Sequence, residues 1–217
     1  AHTPGFYTTG DNNWFYADSH GRNVTGAQII NGQHLYFDAN GRQVKGGFVM
    51  NTDGSRSFYH WNTGDKLVST FFTTGHDRWY YADDRGNVVT GAQVINGQKL
   101  FFDTDGKQVK GAFVTNTDGS RSYYHWNTGN KLVSTFFTSG DNNWYYADAK
   151  GEVVVGEQTI NGQHLYFDQT GKQVKGATAT NPDGSISYYD VHTGEKSINR
   201  WVKIPSGQWV YFNAQGK

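Results

Sequence analysis

Residues 30–46 read INGQHLYFDANGRQVKG, and the pattern returns as INGQKLFFDTDGKQVKG at 95–111 and as INGQHLYFDQTGKQVKG at 160–176. We interpret each copy as a β-hairpin. In the first copy, His34–Asp38 is a short strand rich in aromatic residues, and Asp38–Gly41 is a turn whose glycine supplies a positive φ. Gln43–Lys45 then begins the return strand. A two-stranded hairpin is only marginally stable in water, so we expect this unit to stack on copies of itself.

A strict period of 65 residues runs through the whole chain, and it is marked by Trp14, Trp79, Trp144 and Trp209. Within each period, aromatic pairs recur at steps of 21, 22 and 22 residues, which gives ten hairpin-like units of three types. No segment has apolar residues at helical spacing. The sequence therefore predicts an all-β solenoid of stacked β-hairpins, forming a single repeat module over 1–217 with incomplete repeats at both ends. Because the last residues fall inside a repeat, we expect the chain to be part of a longer protein.

Alternation along the strands predicts which rings are buried. Leu35 and Phe37 lie on one face of their strand, and we expect that face to form the stacking core. Phe15, Tyr36 and Phe58 lie on the opposite face, which carries an aromatic ring in nine of the ten units. We expect those rings to be exposed, and exposed rings at regular spacing indicate a binding surface.

The composition narrows the classes of partner. The chain has 19 Lys and Arg against 19 Asp and Glu, so no basic field exists to attract nucleic acid or an anionic membrane. No apolar run approaches the roughly 18 residues of a membrane-spanning helix. The absence of cysteine excludes disulfides and thiolate metal sites. We therefore expect an uncharged partner, with no nucleic acid and no membrane insertion. We also expect the chain to be a monomer.

The acidic residues and histidines do not indicate a catalytic or metal site. The aspartates fall almost wholly in turns, where a carboxylate bonds its own backbone. The run Asp103–Gly106 resembles the start of a calcium loop, but its twelfth position is Val114 rather than Glu. The histidines lie in separate strands without the paired spacing of a zinc site. We expect no catalytic residue, metal or cofactor, and calcium stays an open alternative.

Carbohydrate is the partner class that the remaining residues favour. A sugar ring has a flat C–H face that an aromatic ring can stack on, and a rim of hydroxyls that amides and charged groups can bond. We call the predicted hairpin at 30–46, and its copies at 95–111 and 160–176, the central hairpin. Its first copy offers the Tyr36 ring together with Gln43 and Lys45. The run Gln-Val-Lys-Gly is unchanged at 43–46, 108–111 and 173–176, whereas neighbouring turn residues vary between copies. This contrast within one chain favours binding over a merely solvated strand.

These residues resemble a known family. The run Trp-Tyr-Tyr-Ala-Asp, followed by Ile-Asn-Gly-Gln-x-Leu-Tyr-Phe-Asp and Gly-x-Gln-Val-Lys-Gly, is similar to the glucan-binding repeats of bacterial glucansucrases. Glucansucrases are dextransucrase-like enzymes that polymerise glucose from sucrose outside the cell. The resemblance covers nearly all of the chain and implies a β-solenoid that holds α-glucan, chiefly α-1,6-linked dextran or isomaltooligosaccharide.

The resemblance also implies the binding residues. In such repeats the sugar pocket uses the aromatic residue of Leu-Tyr-Phe and the Gln and Lys of Gln-x-Lys. These roles carry over to three sets of residues: Tyr36, Gln43 and Lys45; Phe101, Gln108 and Lys110; and Tyr166, Gln173 and Lys175. In the middle set Phe101 replaces the tyrosine, which keeps the stacking surface and removes a hydroxyl contact.

The resemblance further implies that the chain is a non-catalytic C- or N-terminal appendage of a secreted or cell-surface bacterial glucansucrase, a sucrose-dependent transglucosylase. One alternative is a choline-binding or cell-wall-anchoring repeat module, which would cage a quaternary ammonium among aromatic rings. The Gln-x-Lys pairs disfavour this alternative because lysine repels a cation. A second alternative is a catalytic fragment with transglucosylase activity.

Overall fold

The computed structural model describes residues 1–217, and the chain forms twenty short β-strands and no helix. Each strand pairs only with a neighbour in sequence, which gives ten two-stranded antiparallel sheets. None of the secondary structure is a helix that could cross a membrane. The strands are β1 (Gly5–Thr8), β2 (Trp14–Ala17), β3 (Gly26–Ile30), β4 (Gln33–Phe37), β5 (Gly47–Met50), β6 (Arg56–Tyr59), β7 (Thr70–Thr73), β8 (Trp79–Ala82), β9 (Gly91–Ile95), β10 (Gln98–Phe102), β11 (Ala112–Thr115), β12 (Arg121–Tyr124), β13 (Thr135–Thr138), β14 (Trp144–Ala147), β15 (Gly156–Ile160), β16 (Gln163–Phe167), β17 (Ala177–Thr180), β18 (Ile186–Tyr189), β19 (Arg200–Lys203) and β20 (Trp209–Phe212).

The chain divides into two compact units. Unit 1 comprises Ala1–Ile95 with Phe101–Gln108, and unit 2 comprises Asn96–Leu100 with Val109–Lys217. Within each unit, successive hairpins pack on one another through their side chains. The predicted all-β fold of stacked hairpins is confirmed, and the assignment of 1–217 to a single module stays a prediction.

The hairpin that β3 and β4 form differs from the hairpin predicted for residues 30–46. Strand β4 pairs with the preceding β3, with Ile30 opposite Gln33 and Gly26 opposite Phe37. The two-residue turn is Asn31–Gly32, in which both residues have positive φ, 53° and 79°. This is the conformation that a type I′ hairpin turn requires, and Asn-Gly is its preferred sequence. The prediction that His34–Asp38 is the first strand of the hairpin is therefore wrong, because the Asn-Gly turn places it second.

The predicted return strand is reduced to one bridge. Gln43 pairs with Phe37 in an isolated antiparallel bridge, and the next strand, β5, begins at Gly47. The predicted turn before it is confirmed: the Gly41 amide donates to the Asp38 carbonyl at 2.8 Å, and Gly41 has φ 86°. The Asp38 carboxylate accepts bonds from the amides of Asn40 and Arg42, both at 2.9 Å. Hydrogen bonds from backbone amides of the turn to the aspartate side chain explain why the repeats keep aspartate at this position.

One face of the first and of the third central hairpin forms a small apolar core, as predicted. Leu35 is 1% exposed and Phe37 is fully buried. In unit 1 these two residues and Ile30 pack with Tyr16 of the preceding hairpin and with Val24, which lies between β2 and β3. In unit 2 the matching core contains Ile160, Leu165 and Phe167 with Phe136, Tyr146 and Val154.

The opposite face is also buried in much of the chain, so the prediction that its rings are exposed is wrong there. Phe58 is only 6% exposed and Tyr80 only 7%. Their rings join a stacked series in which Phe58 lies 4.5 Å from Phe72 and Phe72 lies 5.3 Å from Tyr80. Phe15 and Tyr36 are half-buried. The physical reason is that the β5–β6 hairpin packs a neighbour on each face, with Phe58 against the following hairpin and Tyr59 against the preceding one. Ring alternation therefore does not separate core from surface.

Candidate functional site

Gln43 anchors the candidate site in unit 1. Its backbone amide donates to the Trp14 carbonyl at 2.7 Å, which joins the central repeat to the hairpin before it. Its side chain is 9% exposed and lies against Gly64, so that a Cβ at Gly64 would overlap the Gln43 amide nitrogen. Part of the constancy of Gln-Val-Lys-Gly therefore has a packing cause.

Lys45 is exposed and lies over an aromatic ring. Its Nζ is 5.6 Å from the centre of the Trp14 ring. This is within the range of a cation–π contact, and such contacts are worth about 0.5–1 kcal/mol at exposed sites. The contact holds the ammonium beside the half-buried indole, and the N–H groups that do not face the ring can donate to a ligand.

A cavity of about 510 Å³ contains these groups. Its lining is mostly polar, with amide, carboxylate, guanidinium and ammonium groups between two indoles, and it comprises Asn12, Asn13, Trp14, Asp38, Arg42, Gln43, Val44, Lys45, Trp61 and Asn62. Arg42 crosses part of it, donating to the side-chain oxygen of Asn13 at 3.3 Å and lying 3.8 Å from the Asp38 carboxylate. Aromatic faces beside several donors and acceptors are the groups that a sugar ring can use.

Trp61 enters the site from a turn. It is 73% exposed, and its ring stacks on His60 with 5.5 Å between ring centres. Nδ1 of His60 accepts bonds from the amides of Asn62 and Thr63, at 3.0 and 3.1 Å, and so closes the turn. Trp61 thus presents a large, exposed ring on a well-bonded backbone.

Tyr36 packs away from the cavity lining. Its ring lies 5.8 Å from the ring of Tyr59, which is 3% exposed. Burial raises the pKa of the Tyr59 hydroxyl, with a smaller contribution from Tyr36. In unit 1 the structure therefore brings Gln43 and Lys45 together and places Tyr36 against the next hairpin. Its predicted stacking role stays a prediction.

Unit 2 contains a related site at the third repeat. Gln173 and Lys175 line a cavity of about 280 Å³ with Trp144, Phe136, Gln163, Leu165 and Thr193. Nζ of Lys175 is 5.8 Å from the centre of the Trp144 ring, and the Gln173 amide lies against Gly194. Tyr166 again packs on a buried tyrosine, Tyr189, at 5.5 Å. The two sites thus share the same arrangement of Trp, Gln, Lys and Gly.

The middle set of predicted residues is divided between the units. Phe101 and Gln108 belong to unit 1, whereas Lys110 belongs to unit 2. Gln108 repeats the backbone contacts of Gln43, since its amide donates to the Trp79 carbonyl at 2.7 Å and it bridges to Phe102. The arrangement of these three side chains around a ligand stays a prediction.

The aspartate turns use their carboxylates internally. Asp103 accepts bonds from the amides of Asp105 and Lys107, both at 2.9 Å. No group of three or more histidine, aspartate or glutamate side chains comes together in a way that could hold a metal ion. These contacts agree with the turn interpretation of the Asp103–Gly106 run.

Sequence reasoning missed the two indoles. In the sequence Trp14 serves only to mark the 65-residue period, yet it lines the cavity beside Lys45. Trp61 follows His60 in a turn, and a large apolar residue among polar turn residues was a signal of exposure that could have identified it.

Comparisons with known proteins place the chain among repeat proteins. A family model described as choline-binding repeat matches residues 24–71, 89–136 and 154–201. A second, described as putative cell wall binding repeat, matches residues 134–153 and 199–217. The first model alone covers more than half of the chain.

Curated relatives and solved structures agree with these matches. The chain is 39% identical over 203 residues to glucosyltransferase-S of Streptococcus mutans serotype c, covering 94% of this chain and 14% of that protein. It is 46% identical over 190 residues to glucosyltransferase-I of the same organism, covering 88% of this chain and 13% of that protein. Choline binding protein F of Streptococcus pneumoniae shares the fold, with a TM-score of 0.70, 19% identity, and coverage of 94% of this chain and 74% of that chain.

The chain therefore spans only a small part of the curated relatives that it matches. The predicted resemblance to the repeats of glucansucrases is confirmed, as is the relation of those repeats to choline-binding repeats. The matched part is a non-catalytic repeat segment.

Proposed function

We propose that this chain, which belongs to the choline-binding repeat family, binds α-glucan, chiefly α-1,6-linked dextran and its isomaltooligosaccharides. The binding groups are the Trp-Gln-Lys arrangements seen at Gln43 and at Gln173. Each offers an indole, an amide and an ammonium group within one cavity. The relatives are named glucosyltransferases. A polymer of glucosyl units is therefore the ligand that we expect to be present near such an enzyme.

The position of Lys45 is the observation that carries this proposal. A quaternary ammonium ligand is bound on the faces of aromatic rings that no protein cation occupies. In unit 1 the Lys45 ammonium already lies over the Trp14 ring at 5.6 Å, and in unit 2 Lys175 lies over Trp144 at 5.8 Å. A second cation at either ring would meet repulsion from the lysine. An uncharged polyol meets none and gains hydrogen bonds from it.

Choline binding is the second candidate, and the family match favours it. The indole of Trp61 is exposed. Within its turn it stacks on His60 and contacts no cation. The second indole of the cavity, Trp14, already lies under the Lys45 ammonium. The remaining indole and imidazole do not make a cage of rings, and the lysine and arginine of the same cavity add positive charge. We therefore favour α-glucan over choline.

The repetition of the site has a consequence for affinity. A shallow site that meets one or two glucose residues makes few contacts, and we expect a dissociation constant of roughly 1 mM for a short oligosaccharide, about −4 kcal/mol. A long glucan that engages a second site does so intramolecularly, which can raise the apparent affinity by roughly 10²–10⁴-fold. Dextran should therefore be held far more tightly than isomaltotriose.

We place the chain as a monomeric appendage of a secreted or cell-surface glucansucrase, where weak contacts keep the enzyme near its polymer and still release it. The equal numbers of acidic and basic residues, 19 each, support a neutral ligand rather than nucleic acid or a membrane.

Native gel electrophoresis in the presence of dextran tests the proposal. We expect the chain to be retarded in a gel that contains dextran relative to a gel without polysaccharide. Added isomaltotriose should reverse the retardation and added choline should not. Equal mobility in the two gels, or reversal by choline, would contradict α-glucan binding.

A further inference from the structure

Trp61 is the one large apolar side chain in the turn that follows β6, and the turn does not need it. Trp61 is 73% exposed, although an exposed indole forgoes the burial that stabilises other rings in the chain. Trp126 holds the same position in the second repeat, is 71% exposed and stacks on His125 at 5.6 Å. The third repeat supplies an internal comparison, because Asp190 and Val191 occupy the positions of His60 and Trp61.

The turn of the third repeat is unchanged without an indole. The Asp190 carboxylate accepts bonds from the amides of His192 and Thr193, at 2.7 and 2.9 Å. These replace the two bonds that Nδ1 of His60 accepts in the first repeat. The amide of Gly194 donates to the Asp190 carbonyl at 2.8 Å, as Gly64 does to His60 at 3.0 Å. Folding of this turn therefore does not explain why the first repeat keeps a tryptophan.

The location of Trp61 points to a ligand contact instead. It lines the same cavity as Trp14, Gln43 and Lys45. Its backbone approaches Gly46 so closely that a Cβ at Gly46 would lie 3.3 Å from the Trp61 Cβ, which places the indole next to the end of the Gln-Val-Lys-Gly run. One ring face rests on His60, and the rest of the indole is open. The third site has no such indole, and its cavity is lined by Trp144, Gln173 and Lys175 but not by Val191.

We propose that Trp61 stacks on the glucose residue adjacent to the one held by Trp14, Gln43 and Lys45. The first site then recognises at least two consecutive glucose residues, and the third site, which has Val191, recognises one. The inference rests on the proposed function and assigns a specificity-determining residue to it. The three repeats are thus not equivalent, since tryptophan has been replaced in the third.

Two-dimensional NMR of the indole N–H groups in the full chain tests this inference. The Trp61 and Trp14 signals are assigned from the spectra of Trp61→Phe and Trp14→Phe. Methyl α-glucoside, which has one ring, should shift the Trp14 signal and leave the Trp61 signal in place. Isomaltotriose should shift both. Trp201, which is 64% exposed and belongs to neither cavity, is the internal control and should not move.

The outcomes separate this inference from the proposed function. If isomaltotriose shifts the Trp14 signal and leaves Trp61 unmoved, or if the single-ring glucoside shifts both, the role of Trp61 is overturned while α-glucan binding stands. If neither ligand shifts any indole, both proposals fail.

A pair of variants gives an independent measure. The first comparison uses a chain that carries Lys110→Met and Lys175→Met, so that only the first site keeps its lysine. In that chain the further substitution Trp61→Ala should weaken isomaltotriose binding by about three- to tenfold and leave methyl α-glucoside binding unchanged. The second comparison uses a chain that carries Lys45→Met and Lys110→Met, so that only the third site keeps its lysine. In that chain the further substitution Val191→Trp should strengthen isomaltotriose binding by a similar factor. The matched control is Trp201→Ala, which removes an equally exposed indole outside the cavity. Equal losses for Trp61→Ala and Trp201→Ala, or for both ligands, would overturn the inference.

Discussion

Nζ of Lys45 lies 5.6 Å from the centre of the Trp14 ring, and the same relationship recurs between Lys175 and Trp144 at 5.8 Å. In each pair the lysine belongs to the hairpin that follows the tryptophan, so hairpin stacking creates the site. The ammonium also occupies the ring face that a choline cage would need. The discrimination between a neutral and a cationic ligand therefore depends on this pair.

Replacing the three lysines by methionine should abolish most dextran binding. The variant Lys45→Met, Lys110→Met, Lys175→Met keeps an unbranched side chain of similar length and removes the charged donor. Loss of a charge-assisted hydrogen bond at each site should cost roughly 1.5–3 kcal/mol per occupied site. Retention by a dextran column measures the effect. The triple substitution Lys99→Met, Lys150→Met, Lys203→Met, at exposed lysines outside both cavities, is the control. Equal retention of the two variants would contradict the role of the lysines.

Gly64→Ala should damage both stability and binding. Gly64 has φ 77°, and a Cβ there would overlap the amide of Gln43. Gly54 has a similar φ of 88° with nothing within 4 Å of the new Cβ, so Gly54→Ala isolates the backbone strain of about 1–2 kcal/mol. We expect Gly64→Ala to cost roughly 1–3 kcal/mol more, from overpacking. Urea denaturation measures the difference, and equal destabilisation of the two variants would show that Gln43 moves aside freely.

Stability should fall in acid partly through the Asn-x-Asp-Gly-Ser turns. The Ser55 hydroxyl donates to the Asp53 carboxylate at 2.5 Å and the Ser55 amide at 3.0 Å, and these bonds lower the pKa of Asp53 below its ordinary 3.8. Asp118 has a lowered pKa for the same reason, through Ser120.

A carboxyl whose pKa is lower in the folded state stabilises the fold fully above the unfolded pKa. That contribution is lost as the pH falls below 3.8 and through the lower folded pKa. Ser55→Ala should raise the pKa of Asp53 towards 3.8 and leave that of Asp118 unchanged, as measured by NMR titration of the carboxyl groups. An unchanged Asp53 titration would show that the serine bond does not set its pKa.

Tyr189→Phe should stabilise the protein. Tyr189 is fully buried, and its hydroxyl has no hydrogen-bond partner within the protein. Its pKa is raised, mainly by burial and secondarily by the charge of Glu157. An unsatisfied buried hydroxyl costs about 1–3 kcal/mol, so its removal should raise the free energy of unfolding by about 1 kcal/mol. Tyr188→Phe, at the adjacent half-buried ring, is the control and should change stability little. A loss of stability in Tyr189→Phe would mean that the hydroxyl is bonded.

The fold was largely predictable because the same pattern of an aromatic pair followed by a polar turn with glycine recurs in ten units. Turn chemistry was the weak point. The Asn31–Gly32 pair was the strongest hairpin signal in the repeat, and it determines that β4 pairs backwards to β3 rather than forwards to Gln43. The aspartate turn was recognised correctly, but it closes only a single bridge.

The site was predictable in part. Gln43 and Lys45 were identified from the unchanged Gln-Val-Lys-Gly run, and they do line one cavity. Their partners Trp14 and Trp61 come from the hairpins before and after, and alternation within one strand carries no information about which neighbouring hairpin covers a face. For the same reason the prediction of an exposed Phe58 is wrong, and its ring is buried in a stack with Phe72 and Tyr80.

Isothermal titration of the full chain with isomaltotriose and, separately, with choline chloride distinguishes α-glucan binding from choline binding. We expect saturable heat with isomaltotriose at a dissociation constant of roughly 1 mM, and no saturable heat with choline over the same range. The triple variant Lys45→Met, Lys110→Met, Lys175→Met should remove the isomaltotriose heat and stay folded. Saturable binding of choline by the unmodified chain, with none of isomaltotriose, would show that the chain is a choline-binding module and not an α-glucan-binding one.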